Sequence, residues 1–342
     1  MISRRQDDLR GIVLCRPDLL ISVDDDPGSV ERVSTGIPNL VVSVPTEQLA
    51  ADLGALPDNV ELVVWPMDAA APRDRFDIVV PPYMSMARVL ERLEGVEVGL
   101  VQGQSIGYDG VADILPAGLT FANAASVHET STAELAVGLA IAAQRHIDRF
   151  AVDTASGRWS PVFAQSLADR RVLLLGYGGV GKAVAARLAP FEVELTAVAS
   201  HARDEDGVAV HGVDELPDLL PRAEIVILTL PGGAATQNLV DDAFLAALPD
   251  GALVINVGRG SLVDTDALVD HVGRGRIRAA LDVTAPEPLP EGHPLWSLPG
   301  VLITPHVGGA SSAMRPRVAK LVRTQIERLA AGEPPLNVVL GD

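Results

Sequence analysis

The chain runs to 342 residues, of which 48% are hydrophobic and 21% charged, and it carries a formal net charge of −18. That length outgrows a single ordinary core and predicts two domains, while the balance of apolar to charged residues excludes wholesale disorder. With an isoelectric point near 4.7, the surface repels phosphate backbones and anionic lipid, which argues against nucleic acid and membranes as partners and obliges an anionic ligand to find a local cationic pocket.

Residues 1–36 show weak periodicity, a DDD run and scattered Gly and Pro, and read as a loosely attached N-terminal extension. The GIVLC run behind Arg4 and Arg5 is stopped by Arg16 and Pro17, too short for a secretory signal, and no apolar stretch reaches the roughly 18 residues of a membrane span. Cys15 is the only cysteine. It cannot form an internal disulfide or a cysteine-based metal site, and suits a reducing, cytoplasmic compartment.

From Pro38 the pattern sharpens. NLVVSVP, VELVVWP, FDIVVPP and VEVGLVQG are short β-branched runs of the kind buried in a parallel sheet, and TEQLAADLGAL and MSMARVLERLEG have the spacing of crossover helices. STAELAVGLAIAAQRHIDRF then predicts one long, mostly apolar helix with Ser131 or Thr132 as its N-cap, buried at a domain boundary. After GRWSP the alternation restarts. Six strand-plus-loop segments follow: RRVLLLGYGGVG, VELTAVAS, AEIVILTLP, GALVINVGRG, RIRAALDV and VLITPHVGG, with helices KAVAARLAP, DDAFLAALP and DTDALVDHVGR between them. Six parallel strands with helices on both faces is the doubly wound α/β arrangement. A helix over SAMRPRVAKLVRTQIERLAAGE precedes the final PPLNVV.

The first chemical signal is Gly176-Tyr177-Gly178-Gly179-Val180-Gly181, a G-x-G-x-x-G hexad set between a strand and a helix. In that context Gly176 permits the tight turn, Gly178 lets backbone approach a pyrophosphate, and Gly181 lets helix pack close to strand. The second strand ends Ala199-Ser200-His201-Ala202-Arg203, with no carboxylate before Asp204 to grip a ribose diol. Ser200, His201 and Arg203 suit a 2′-phosphate, which favours NADP(H) over NAD(H), although Arg203 also reads as the start of a solvated loop.

Three strand ends supply a charge constellation. INVGRGSLVD carries Arg259, ALDVTAPEPLP carries Asp282 and Glu287, and VLITPHVGG carries His306. A guanidinium can grip a carboxylate, an imidazole can exchange a proton near neutral pH, and a carboxylate can orient that imidazole and keep it cationic. Ketone reduction needs those three roles and a hydride donor.

With the segments GYGGVG, LTLPGGAATQNLV, INVGRGSLVDTDALVDHV, AALDVTAPEPLPEGHPLW and VLITPHVGG in place, the chain resembles the D-isomer-specific 2-hydroxyacid dehydrogenase family, strongly over roughly residues 100–312. Arg259, Glu287 and His306, 28 and 19 residues apart in turn, resemble the family's catalytic spacing. The resemblance implies that Arg259 binds the substrate carboxylate and polarises the carbonyl, that His306 is the acid/base, and that Glu287 orients it. It also implies that Asp282 meets the cofactor carboxamide and that Val257, Gly258 and Gly308 meet the nicotinamide side. Pro231 and Thr236 would line the third-strand loop, and the amides of Ser105, Ile106 and Gly107 would hold the substrate carboxylate. The implied architecture is a dinucleotide-binding domain over 129–307 and a smaller, discontinuous, flavodoxin-like substrate domain from 37–128 and 308–342, with dimerisation through the cofactor domain. The chain departs from the family pattern at Gly179, where arginine is common, and near Ala199, where an acidic residue is expected. The expected reaction is reversible reduction of a small 2-keto acid of glyoxylate, hydroxypyruvate or phosphoglycerate type. The alternatives are an idle dinucleotide sensor of corepressor type and oxidation of a non-hydroxyacid such as formate or phosphite.

Overall fold

Two mostly parallel sheets organise the protein, seen in a computed structural model that describes residues 39–84 and 86–341. All of these fall in the unit Pro38–Asp342; the extension over 1–36, with Cys15, lies outside them. The first sheet is built from β1 (Leu40–Val44), β2 (Val60–Val64), β3 (Arg75–Val79), β4 (Glu97–Gln102), β5 (Phe121–Ala122) and the chain's last strand, with helices α1 (Glu47–Leu53), α2 (Met86–Val89) and α3 (Val111–Ile114) in the connections. Two longer helices follow, α4 (Glu129–Arg145) and α5 (Ile147–Ala155).

The second sheet uses β6 (Arg171–Leu175), β7 (Glu194–Ala199), β8 (Arg203–Glu205), β9 (Val208–Gly212), β10 (Ile225–Leu228), β11 (Ala252–Asn256), β12 (Ile277–Leu281) and β13 (Val301–Ile303). Its helices are α6 (Gly179–Leu188), α7 (Leu216–Leu219), α8 (Asp242–Ala247) and α9 (Thr265–Gly273); α10 (Met314–Ala330) and β14 (Val338–Leu340) then return to the first sheet.

The first sheet has the order β14-β5-β4-β3-β1-β2 and the second β13-β12-β11-β10-β6-β7-β9-β8. Within the first, β2-β1-β3-β4-β5 is the flavodoxin-like order, with its reversal between β1 and β3. In the second the order reverses between β6 and β10, so the loops leaving those strands open a crevice at their carboxyl ends. Strands such as ALVIN, buried throughout, are apolar on both faces because helices cover both, which is why they read as continuous apolar runs.

All ten strands expected from Pro38 onward are present, and the structure adds β8, β9, β5 and β14. β9 extends the parallel array beyond β7, and β8 closes it as an antiparallel edge. The boundary helix differs from its expectation. It starts at Glu129 behind His128, so Ser131 and Thr132 lie in its first turn rather than capping it, and the Ser131 hydroxyl pairs with that of Ser311 instead (2.6 Å). The helix also breaks at His146, whose φ of 55° is left-handed, so IDRF belongs to α5. MSMARVLERLEG likewise divides into α2 and a 3-10 turn, Leu90–Leu93.

The return of α10 is fixed by a buried polar pair. Gln325 donates to Gln102 Oε1 (2.7 Å) and to Leu336 O (2.9 Å), while its own Oε1 accepts from Leu336 N. Gln102 in turn donates to Gly103 O and Asn123 O. Both side chains are almost wholly buried, so removing one leaves unsatisfied groups out of reach of water. Gln325→Leu is expected to destabilise the protein by about 1–3 kcal/mol, read as a lowered midpoint in chemical denaturation; an unchanged midpoint would contradict this account.

Candidate active site

The glycine loop stands between β6 and α6, and each glycine has a separate steric reason. Gly176 has φ +102° and a side chain there would sit 2.7 Å from Thr229 Oγ1, the hydroxyl that donates to Gly176 O (2.9 Å). A side chain at Gly181 would strike the Gly176 carbonyl. At Gly178 nothing lies within 4 Å of the side-chain position, so the loop is open on that side. Val180 lies in the first turn of α6, where helical amides lack intrahelical acceptors and the dipole favours an anion. These residues fit a dinucleotide's pyrophosphate. The side-chain position of Gly179 is faced by Glu129, at 3.0 Å from its Cγ, so this glycine leaves room for a carboxylate from α4.

The residues chosen at the end of β7 remain at the surface. His201 Nδ1 lies 3.0 Å from Ser200 Oγ. Arg203 opens β8 rather than a loop, and it is paired with Glu205. On the next loop the Thr236 hydroxyl donates to Pro231 O (2.8 Å). Val257 is buried, and a side chain at Gly258 would come within 2.7 Å of Leu230 O, which holds the β11 loop close against the β10 loop.

Arg259 follows directly. Its carbonyl accepts from Asn256 Nδ2, its Nη1 donates to Gly258 O (2.7 Å), and its Nε donates to Asp109 Oδ2 (2.8 Å). Asp109 comes from the first-sheet loop after β4, so this ion pair joins the two lobes. The side-chain position of Gly107 is filled by the Arg259 guanidinium; any larger residue would displace it. The carbonyls of Ser105 and Ile106 accept from Ala124 N (2.9 Å) and Asn123 Nδ2 (2.8 Å). Among the described residues, no protein acceptor takes the amides of Ser105, Ile106 or Gly107.

His306 is built around Asp282. That carboxylate is 3% exposed; Oδ1 accepts from Thr304 Oγ1 (2.7 Å) and Val307 N (2.9 Å), and Oδ2 from Gly308 N (2.8 Å). The His306 amide donates to Asp282 O (2.7 Å). So gathered, the loop holds His306 at φ +52°, a left-handed conformation that a non-glycine residue adopts only when its surroundings enforce it. Three of the roughly four acceptor positions of Asp282 are thereby taken, which makes it first of all the organiser of this loop.

The His306 ring faces Glu287, with Nδ1 and Oε1 2.5 Å apart. This hydrogen bond raises the imidazole above its ordinary pKa against the opposing effect of burial, and the same bond lowers the Glu287 carboxyl. The Arg259 charge acts on both groups, so the three expected catalytic side chains share one electrostatic site.

One residue of the cleft, Tyr83, escaped the sequence reading, and His128, which precedes the boundary helix, packs against it. Tyr83, on the loop after β3, stacks on His128 with ring centroids 5.8 Å apart; burial, and secondarily the Asp282 charge, push its phenol up and keep it a donor. His128 is 4% exposed. Its Nε2 lies 2.6 Å from Gln104 O and its Nδ1 3.2 Å from Gly309 O, so one ring ties the loop of Ser105–Gly107 to the loop of His306. Gly309 leaves room for it: a side chain there would fall 2.7 Å from His128 Nδ1.

Comparison with known proteins agrees with this geometry. Residues 137–308 match the D-isomer specific 2-hydroxyacid dehydrogenase, NAD binding domain. The chain is 30% identical to a glyoxylate reductase of Thermofilum pendens over 74% of its own length and 77% of the relative's. It is 29% identical to the human glyoxylate reductase/hydroxypyruvate reductase over 70% and 76%. A D-isomer specific 2-hydroxyacid dehydrogenase from Xanthobacter autotrophicus, solved with NADPH and MES, superimposes with a TM-score of 0.74 and 29% identity, covering 89% of this chain and 98% of that one. The chain belongs to the D-isomer specific 2-hydroxyacid dehydrogenase family, the NAD(P)-dependent oxidoreductases that its two-sheet fold and strand-end charges had indicated.

Proposed function

We propose that this dehydrogenase reduces a small 2-keto acid of the glyoxylate, hydroxypyruvate or phosphoglycerate type at C2, and oxidises the corresponding 2-hydroxy acid in reverse. The observation that carries the reading is the His306–Glu287 pair set within the field of Arg259. A bound nicotinamide supplies the hydride. The Arg259 guanidinium lies against Gly107, which suits the loop of Ser105–Gly107 and this cation to holding the substrate carboxylate between them, and a charged guanidinium beside the carbonyl oxygen favours the developing negative charge. His306, held cationic by Glu287, gives the proton to the C2 oxygen and takes it back in oxidation. In the same reading residues 37–128 with 308–342 form the substrate domain and 129–307 the cofactor domain, and closure of one on the other excludes water. An idle dinucleotide sensor would have no use for this assembled acid–carboxylate pair.

NADP(H) is the proposed cofactor, supported by Ser200, His201 and Arg203 after β7, where the sequence has no carboxylate before Asp204. No described helix is long and apolar enough to cross a membrane, and the single cysteine supports a cytoplasmic site. We assign the large apolar residues exposed after α5, Trp159 at 95% and Phe163 above 100%, to contact with a second copy, since exposed large apolar surface marks sites of protein contact.

Three outcomes test this. First, NADPH or NADH absorbance is expected to fall with one of a panel of 2-keto acids, and His306→Gln to lower kcat by about 10²–10⁴-fold with cofactor affinity retained. Loss of both in equal measure would remove the acid/base role. Second, keto-acid reduction needs protonated His306, so kcat/KM falls as pH rises through a pKa above 6.5. Glu287→Gln takes away the main cause of that elevation and should move the descending limb to lower pH. A limb that stays in place would contradict the coupling. Third, sedimentation should show twice the 35.9 kDa chain mass, and Trp159→Ser with Phe163→Ser should shift it to the monomer.

A further inference from the structure

The edge hairpin of the second sheet holds a charge cluster that the catalytic reading does not use. β8 and β9 pair antiparallel, with Arg203 opposite Val210 and Glu205 opposite Val208. Side chains two apart on a strand share a face, so Arg203 and Glu205 both turn toward α6. There Glu205 accepts from Arg203 Nε (2.7 Å) and lies 2.6 Å from its Nη2, while Lys182 Nζ of α6 stands 2.5 Å from the other oxygen. The guanidinium also reaches the glycine loop, with Nη2 3.4 Å from Tyr177 O. The cluster therefore sits where the glycine loop meets the end of β7, the place of the cofactor's adenosine ribose in the dinucleotide reading, on which this inference rests.

We propose that Glu205 selects between the two forms of the dinucleotide: its carboxylate occupies the Lys182–Arg203 cation pair, and a ribose 2′-phosphate binds by displacing it. Three features support this. Lys182, Arg203 and Glu205 have side chains 40%, 38% and 28% exposed, and ion pairs so open to solvent hold weakly. A guanidinium beside an ammonium matches a phosphate better than a single carboxylate, because the phosphate offers more acceptor oxygens and close to two charges at neutral pH. Without a 2′-phosphate, Glu205 stays in place and neither cation is stranded. Asp206 adds a more distant carboxylate, 3.5 Å from Lys182 Nζ and 83% exposed. The cation pair is thus neutralised internally in one bound form and by the ligand in the other.

Calorimetric titration of the full-length protein with NADPH and with NADH tests this directly, beside Glu205→Gln and Arg203→Gln. Glu205→Gln removes the competitor and should tighten NADPH about tenfold while moving NADH less than about twofold. Arg203→Gln should weaken NADPH by about tenfold. Weaker NADPH binding by Glu205→Gln, an equal change for both dinucleotides, or no change would overturn the selector role and leave the functional reading intact. Failure of the unmodified protein to bind either dinucleotide would bring down that reading, and this inference with it.

Discussion

The site depends on one buried carboxylate. Asp282 gathers the Thr304 hydroxyl and the amides of Val307 and Gly308, and its own carbonyl takes the His306 amide. A carboxylate in so little water needs those donors, and the donors need it, because the turn after β13 puts a histidine in left-handed backbone. The mutual requirement fixes where the imidazole stands before any substrate arrives. Glu287 then completes the orientation from a different loop, so a carboxylate-paired imidazole is made from two strand ends and one organiser.

The other half of the cleft is built to the same principle across a longer distance. Arg259 is held by Asn256 through its backbone and by Gly258 and Asp109 through its guanidinium. Gly107 is required because the guanidinium fills the place of a side chain. His128 joins the loop after β4 to the loop that follows His306. Arg259 therefore belongs to a constrained frame in which the lobes touch through charge, while a buried ring steadies the loops of the first-sheet lobe beside it.

Much of this was readable from the sequence, for physical reasons that also explain the gaps. Strands such as β6, β10 and β11 are buried on both faces, so their apolar runs announce themselves, and the glycine hexad falls between a strand and a helix. Arg259, Glu287 and His306 could be found because each follows a strong strand. The β8–β9 hairpin was missed because RDEDGVAV is short, charged and at a sheet edge, where no apolar alternation is needed. The partners of Asp109 and His128 were not legible because they lie 150 and 181 residues away, and local pattern carries no trace of such pairings. The start of α4 lies three residues before the expected one because Ser131 looks like a cap while its hydroxyl serves Ser311.

The return of α10 and β14 bears on how the protein is made. Val318, Leu321, Val322 and Ile326 of α10 complete the same apolar core as Val42, Leu49, Leu53 and Ile78, and β14 pairs with β5. On the ribosome, the strands of 40–122 emerge long before the helix that covers them, and the whole second sheet is synthesised in the interval. The second sheet can close around its own residues as it appears, whereas the first must keep an apolar face and a strand edge uncovered until α10 and β14 have been made. That delay concentrates the risk of misassembly in the lobe that supplies Gly107 and Asp109.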